Sequence, residues 1–285
     1  MINPAVSRFP LLPRKKNTDK SHYGHVLVLA GSRGMTGAAV LAGQAALRSG
    51  SGLVTIGIPK SLENTVAKKS SPEIMRLGLP ETKQGTLSFS ALAKVLSCIQ
   101  KRKINCLAVG PGLSTEPQTA KLVRSIVCDS PVPVVLDADG LNSFKSKIKF
   151  LRKHRASLVL TPHRREFERL FDEKWPERKD ARIRLAKKLS KFYDVVLVLK
   201  SSGTLVVSRD NVYVNKTGNP GMAKGGSGDV LTGVIAALIA QGLDLFRASV
   251  WGVYFHGKAG DLAVKSNGEL GLIASDLIEC LPRVF

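Results

Sequence analysis

Short apolar runs alternating with helix-length segments predict an α/β protein: a three-layer α/β/α sandwich around a mostly parallel central sheet. Two further observations carry that expectation. Each run is short, β-branched and apolar on both faces, as a strand covered by helices on both sides must be. The alternation is also uninterrupted by any linker, repeat or low-complexity stretch. Residues 1–285 are therefore expected to form one domain, with 1–20 as an N-terminal extension.

The elements follow in chain order. The strands are His25-Val-Leu-Val-Leu-Ala, Leu53-Val-Thr-Ile-Gly-Ile, Cys106-Leu-Ala-Val-Gly, Val132-Pro-Val-Val-Leu-Asp, Ser157-Leu-Val-Leu-Thr and Val195-Val-Leu-Val-Leu-Lys. Residues 38–49, 89–101, 117–128, 165–171 and 181–192 supply the helices between them. Thr204-Leu-Val-Val-Ser, a turn at Arg209-Asp-Asn and Val212-Tyr-Val-Asn read as a hairpin. Residues 230–241 and 247–264 read as long apolar helices.

Composition narrows the function classes. An apolar share of 44% excludes disorder as the main state. No run approaches the ~18 apolar residues of a membrane span. Pro4, Pro10 and Pro13, with no apolar core between them, argue against a secretory signal. Four cysteines without CxxC spacing argue against a zinc site or disulfide framework and fit a cytoplasmic protein.

The net charge of +21 raises the possibility of a nucleic-acid partner. Residues 145–200 hold 18 basic and 7 acidic side chains, whereas residues 201–285 hold 7 of each. The basic block, Lys145 to Lys153 and Arg182 to Lys191, reads as helices whose cations face solvent. Aromatics do not interleave with those cations, so no nucleic-acid partner is expected.

In an open parallel sheet, ligands bind beyond the carboxyl ends of the strands, and the motifs cluster there. Gly31-Ser-Arg-Gly34-Met-Thr-Gly37 follows the first strand with GxxGxxG spacing, which is not the GxGxxG dinucleotide fingerprint. It suits either a tight strand-to-helix turn or close approach of backbone to an anion. Val109-Gly-Pro-Gly112 bares backbone at another strand end. Asp137-Ala-Asp139-Gly-Leu-Asn142 suits Mg²⁺ or a hydroxyl-rich ligand, or else helix capping by Asp139 with Asp137 solvated. Thr161-Pro-His163 projects a ring into the crevice. Lys200-Ser201-Ser202-Gly203-Thr204 can hold phosphate oxygens or simply begin the hairpin. Gly252-Val-Tyr-Phe-His256-Gly-Lys258-Ala259 nearly matches a P-loop but lacks its hydroxyl, so His256 and Lys258 read as parts of an ordinary helix.

Asn219-Pro-Gly221-Met-Ala-Lys224-Gly225-Gly226-Ser227-Gly228-Asp229-Val-Leu-Thr232-Gly233 carries the most information. Four glycines and a serine open an apolar helix, so their N–H groups can form an anion hole. Asp229 lies in the first turn, where the helix dipole is expected to keep it ionised at neutral pH. An ionised carboxylate beside an anion hole can take the proton of a hydroxyl attacking a phosphoryl group.

With this motif the chain resembles the ribokinase-like superfamily and, more narrowly, the NAD(P)H-hydrate dehydratases. Tyr23-Gly-His-Val-Leu-Val-Leu-Ala-Gly-Ser, Gly37-Ala38-Ala39, Val109-Gly-Pro-Gly-Leu, Asp137-Ala-Asp-Gly-Leu-Asn and Thr161-Pro-His agree in order over residues 20–280. The resemblance implies a lyase that restores the 6S epimer of hydrated NADH or NADPH, with ADP or ATP as co-substrate and Mg²⁺ bridging phosphates. It implies Asp229 as base, Gly226, Ser227 and Gly228 as anion hole, and Ala38, Gly112, His163 and Asp229 around the hydrated dinucleotide. Lys200, Ser201, Ser202, Gly203, Thr204, Gly228 and Asn142 would hold the adenine nucleotide. No protein-only metal site is implied. A homotetramer is, and the upstream epimerase domain of many relatives is expected to be absent. Lys224 stands where many members have Thr. The nearest rival is a ribokinase-like kinase acting on a hydroxymethylpyrimidine or thiazole alcohol.

Overall fold

The computed structural model describes all residues except 1–3, 5, 6, 12 and 15. Nine strands form a single sheet in the order β3-β2-β1-β4-β5-β6-β7-β8-β9. These are β1 (His25–Leu29), β2 (Leu53–Pro59), β3 (Met75–Leu79), β4 (Cys106–Val109), β5 (Val134–Leu136), β6 (Leu158–Leu160), β7 (Val195–Leu199), β8 (Leu205–Ser208) and β9 (Asn211–Val214). The first seven run parallel, while β8 and β9 pair antiparallel at one edge. The expected sandwich and hairpin are both present.

Helices cover both faces. On one side pack α1 (Thr36–Arg48), α8 (Ser227–Ala240), α9 (Leu245–Gly271) and α10 (Ala274–Cys280). On the other pack α3 (Leu92–Lys101), α4 (Pro117–Asp129), α6 (Arg164–Phe171) and α7 (Lys179–Tyr193). The pleat divides each strand between the two layers: Val26, Val28 and Ala30 face the α1/α8 core, and Leu27 and Leu29 face the other. Short helices α2 (Glu63–Lys69) and α5 (Asp139–Asn142) complete the set. No helix among the described residues is long and apolar enough to cross a membrane.

Helices α2, α5 and α10 lay outside the expected set, and three further features differ from expectation. Lys145–Lys153 is not an α-helix; only Ile148–Lys153 turns, as 3₁₀, after Ser146 adopts a left-handed φ of 57°. Strand β3 lay outside the expected set because it is an edge strand, with Met75, Arg76 and Leu77 only half-buried. Lastly, Phe150 and Phe192 are exposed within the basic block, and Arg152 stacks 4.8 Å from the Phe192 ring centre.

Strand order reverses at β1, which pairs with β2 on one side and β4 on the other. The glycine loops after β1 and β4 therefore flank the switch point, where such sheets open a crevice. Helices α1 and α8 stand side by side behind it. Their backbones nearly touch: a Cβ added at Gly233 would lie 2.2 Å from the Ala42 carbonyl oxygen. Replacing Gly233 with Val should therefore destabilise the fold by about 2–3 kcal/mol. Urea denaturation followed by circular dichroism measures this.

Candidate active site

Most of the motifs lie beyond strand ends, while 252–259 falls inside α9, and a buried ion pair draws several of them together. Asp137, one residue past β5, is 1% exposed. Its Oδ1 accepts from Lys200 Nζ at 2.6 Å and Thr161 Oγ1 at 2.7 Å. Its Oδ2 accepts from Thr232 Oγ1 of α8 at 2.8 Å. Asp137 is thus buried and hydrogen-bonded, not solvated. Lys200, past β7, also approaches Glu166 Oε2 at 3.7 Å. Burial alone would lower the Lys200 pKa, but the Asp137 and Glu166 carboxylates outweigh it and raise it. Burial raises Glu166, against the pull of Lys200.

Glu166 escaped the sequence reading, although it stands at the third position of α6 after His163. There it closes a capping box. The His163 N–H donates to Glu166 Oε2 at 2.8 Å, and His163 Nδ1 accepts from the Arg165 and Glu166 N–H groups. Burial, then Lys200, lowers the His163 pKa.

Helix α8 starts at Ser227. Among the described residues no side chain caps this start. The preceding Gly226 has a φ of +90°, which a residue with a Cβ adopts only under strain. A Cβ added at Gly228 would lie 3.3 Å from Lys200 Nζ and 3.8 Å from Asp137 Oδ2. The glycine loop at the start of α8 therefore rests directly against the Lys200 ammonium. Asp229 follows in the first turn, and here the expectation of an ionised acid is corrected. Burial, reinforced by the Asp137 charge and opposed by Lys200, pushes its pKa up to about 7. Desolvation and a like charge outweigh the helix dipole.

A cavity of about 980 Å³ opens beside this loop. Its walls include Lys200, Ser201, Ser202, Gly203, Thr204, Ser227, Gly228 and His163. The structure thus groups His163 with the residues expected to hold nucleotide. Ala38 and Gly112 are not among its lining residues. They meet each other at the switch point instead: a Cβ at Gly112 would lie 3.1 Å from Ala38 Cβ. The Gly112 loop is tied to Asp139, whose Oδ2 accepts from the Ser114 N–H at 2.9 Å. Asp139 is in turn one of the charges that Asp229 senses. Asn142 is not a lining residue either; its Nδ2 donates to Asp139 Oδ1 at 3.1 Å. Lys224 also lines the cavity, and its ammonium donates to the Leu270 carbonyl. His256, read from the sequence as part of an ordinary helix, is buried against the start of α8, with Nε2 2.9 Å from the Ser227 carbonyl oxygen.

The family described as NAD(P)H-hydrate dehydratase matches residues 26–283. The chain belongs to the NAD(P)H-hydrate dehydratase family. It is 42% identical, over its whole length, to 53% of a bifunctional NAD(P)H-hydrate repair enzyme from Moorella thermoacetica. The chain spans about half the length of this and similar bifunctional relatives. It is 35% identical to an ADP-dependent (S)-NAD(P)H-hydrate dehydratase from Neisseria meningitidis, over 97% of this chain and 90% of that one. Among solved structures, the ADP/ATP-dependent NAD(P)H-hydrate dehydratase of Bacillus subtilis, co-crystallised with ATP/Mg²⁺, superposes with a TM-score of 0.80. That match has 30% identity and covers 95% of this chain and 92% of that one. The dehydratase-family fold is ribokinase-like, as the sequence implied.

The raised Asp229 pKa has a stability consequence. A carboxyl held near 7 in the fold and near 3.8 when unfolded favours the native state only while protonated. The stability it contributes is complete below about 4 and is lost as pH rises through about 7. Asp229→Asn should therefore be more stable than the parent protein at pH 8, by about 2–4 kcal/mol. The gap should close towards pH 4. Thermal unfolding across that range checks the sign.

Proposed function

We propose that this protein dehydrates the 6S epimer of hydrated NADH or NADPH, using ADP, or ATP in its place, as phosphoryl donor. One observation carries the reading beyond family membership. An uncapped helix start, a lysine ammonium and a carboxyl with a pKa near 7 converge at Gly228.

In this reading the nucleotide lies in the large cavity, its phosphates facing Gly226, Ser227 and Gly228, with Lys200 behind them. The hydrated nicotinamide enters from the side of Ala38 and Gly112. Asp229 accepts the proton of the ring hydroxyl as that oxygen attacks the terminal phosphorus. An O–P bond forms, and the bond to the leaving nucleotide breaks. The C–O bond then breaks, phosphate departs with the electron pair, and loss of a proton from the adjacent ring carbon restores the dihydronicotinamide. The N–H groups at the helix start stabilise the charge on the moving phosphoryl oxygens. A base with a pKa near 7 is half-ionised at neutral pH, which suits it to take and return a proton.

Among the described residues, no group of three or more His, Cys, Asp or Glu side chains is placed to cage Mg²⁺. Both oxygens of Asp137 are taken by Lys200, Thr161 and Thr232, and those of Asp139 by Ser114 and Asn142. Mg²⁺ would arrive on the phosphates, which with water supply most of its ligands. We further propose a cytoplasmic homotetramer needing no nucleic acid. The four cysteines, all free thiols, suit a reducing compartment.

The test is to incubate the protein with hydrated NADH and ADP or ATP. The absorbance of reduced nicotinamide should return only with nucleotide, and Asp229→Asn should lose at least ~10³-fold in rate. No recovery with either nucleotide, or accumulation of a phosphorylated alcohol, would refute a dehydratase. The rate should rise with pH and level off above about 7, following Asp229. Raising salt should lower kcat/KM and leave kcat almost unchanged, because the basic surface steers anionic substrates without touching them.

A further inference from the structure

The near-P-loop stretch is part of helix α9, as expected, but its hydrogen bonds reach beyond the helix. Residues 253–261 bind both walls of the large cavity. Asn215 Nδ2 donates to the Val253 carbonyl at 3.1 Å, and Thr217 Oγ1 to the Tyr254 carbonyl at 2.9 Å. Asp261 accepts from the Gly218 N–H and from Asn219 Nδ2, at 3.0 and 3.2 Å. These contacts hold the outer wall, residues 215–219. His256 alone of the set reaches across to the opposite wall, at Ser227.

We infer that His256 is a positioning residue that sets the aim of the anion hole; this rests on the reading of Gly226–Gly228 as that hole. Ser227 is the first residue of α8, and its carbonyl can only accept. His256 Nε2, 2.9 Å away, must therefore carry the hydrogen. The ring is buried, with a pKa pushed down to about 4 by burial, so it stays neutral and the tautomer is fixed. Ser227 Oγ lies 3.4 Å from the same nitrogen. The Gly226 peptide before it has no Cβ to restrain it, and among the described residues no side chain caps the helix start. The imidazole thus supplies from behind the orientation that a capping side chain would supply from the front. A front cap would occupy the N–H groups that the phosphoryl oxygens need.

The test compares His256→Leu with His256→Gln, whose amide N–H₂ can reach the same carbonyl. Two readouts are taken: steady-state kinetics with hydrated NADH and ADP, and amide hydrogen exchange in peptides covering 225–231. In His256→Leu, kcat should fall 10- to 100-fold with KM for hydrated NADH changed less than threefold. Exchange in 225–231 should quicken at least tenfold, with peptides from β5 to β7 unchanged. In His256→Gln, most of both should return. Unchanged kcat and exchange in His256→Leu would overturn the inference. So would a Gln variant as impaired as Leu, or faster exchange spread through the whole sheet. A parent protein inactive on hydrated NADH, yet showing the local exchange response, would sink the proposed reaction and leave the positioning role standing.

Discussion

A single buried carboxylate under the glycine loop of α8 holds this site together. Asp137 joins the ends of β5, β6 and β7 to α8 through Lys200, Thr161 and Thr232. Burying an ion pair is costly, and an apolar pair of the same size would often serve stability better. Here the charges do more than hold strands. Lys200 puts a fixed cation against Gly228, where anionic phosphate oxygens are expected. Asp137 puts a fixed anion near Asp229 and helps raise its pKa to about 7. The pair thus sets the potential on both sides of Gly228: attractive to an anion at the helix start, and adverse to ionisation of Asp229.

The fold was largely legible because buried parallel strands are apolar on both faces, a pattern no surface element imitates. The features that escaped notice are those with a weaker local signature. Strand β3 sits at an edge and carries Arg76, so its pattern is mixed. Lys145–Lys153 has cations at helical spacing but no side-chain cap to start an α-helix, and Ser146 turns the chain left-handed.

The site was legible as a set of loops, and less so as a set of partnerships. Strand-end position located Lys200, because the parallel strands bring their carboxyl ends to one edge, and the glycine-rich opening of an apolar helix located Gly228 and Asp229. The Asp229 protonation state was misjudged because the dipole is local and visible in sequence, whereas the Asp137 charge comes from 92 positions away and only the fold delivers it. Glu166 had a sequence signal, the capping-box spacing after His163, which marks a helix start and says nothing of Lys200. His256 had none beyond its place in an apolar helix, since its partner is a backbone carbonyl.

The contact between Gly233 and Ala42 has a mechanical meaning. Helix α1 carries the glycine loop of one half of the site at its start, and α8 carries that of the other. With backbone against backbone and no side chain between, the two helices cannot slide or roll past one another without collision. The two loops therefore move as one rigid chassis, and no hinge can open between them. Thr217 and Gly218 are pinned to α9, so the exposed tip at 201–203 is the part of the rim left outside this chassis.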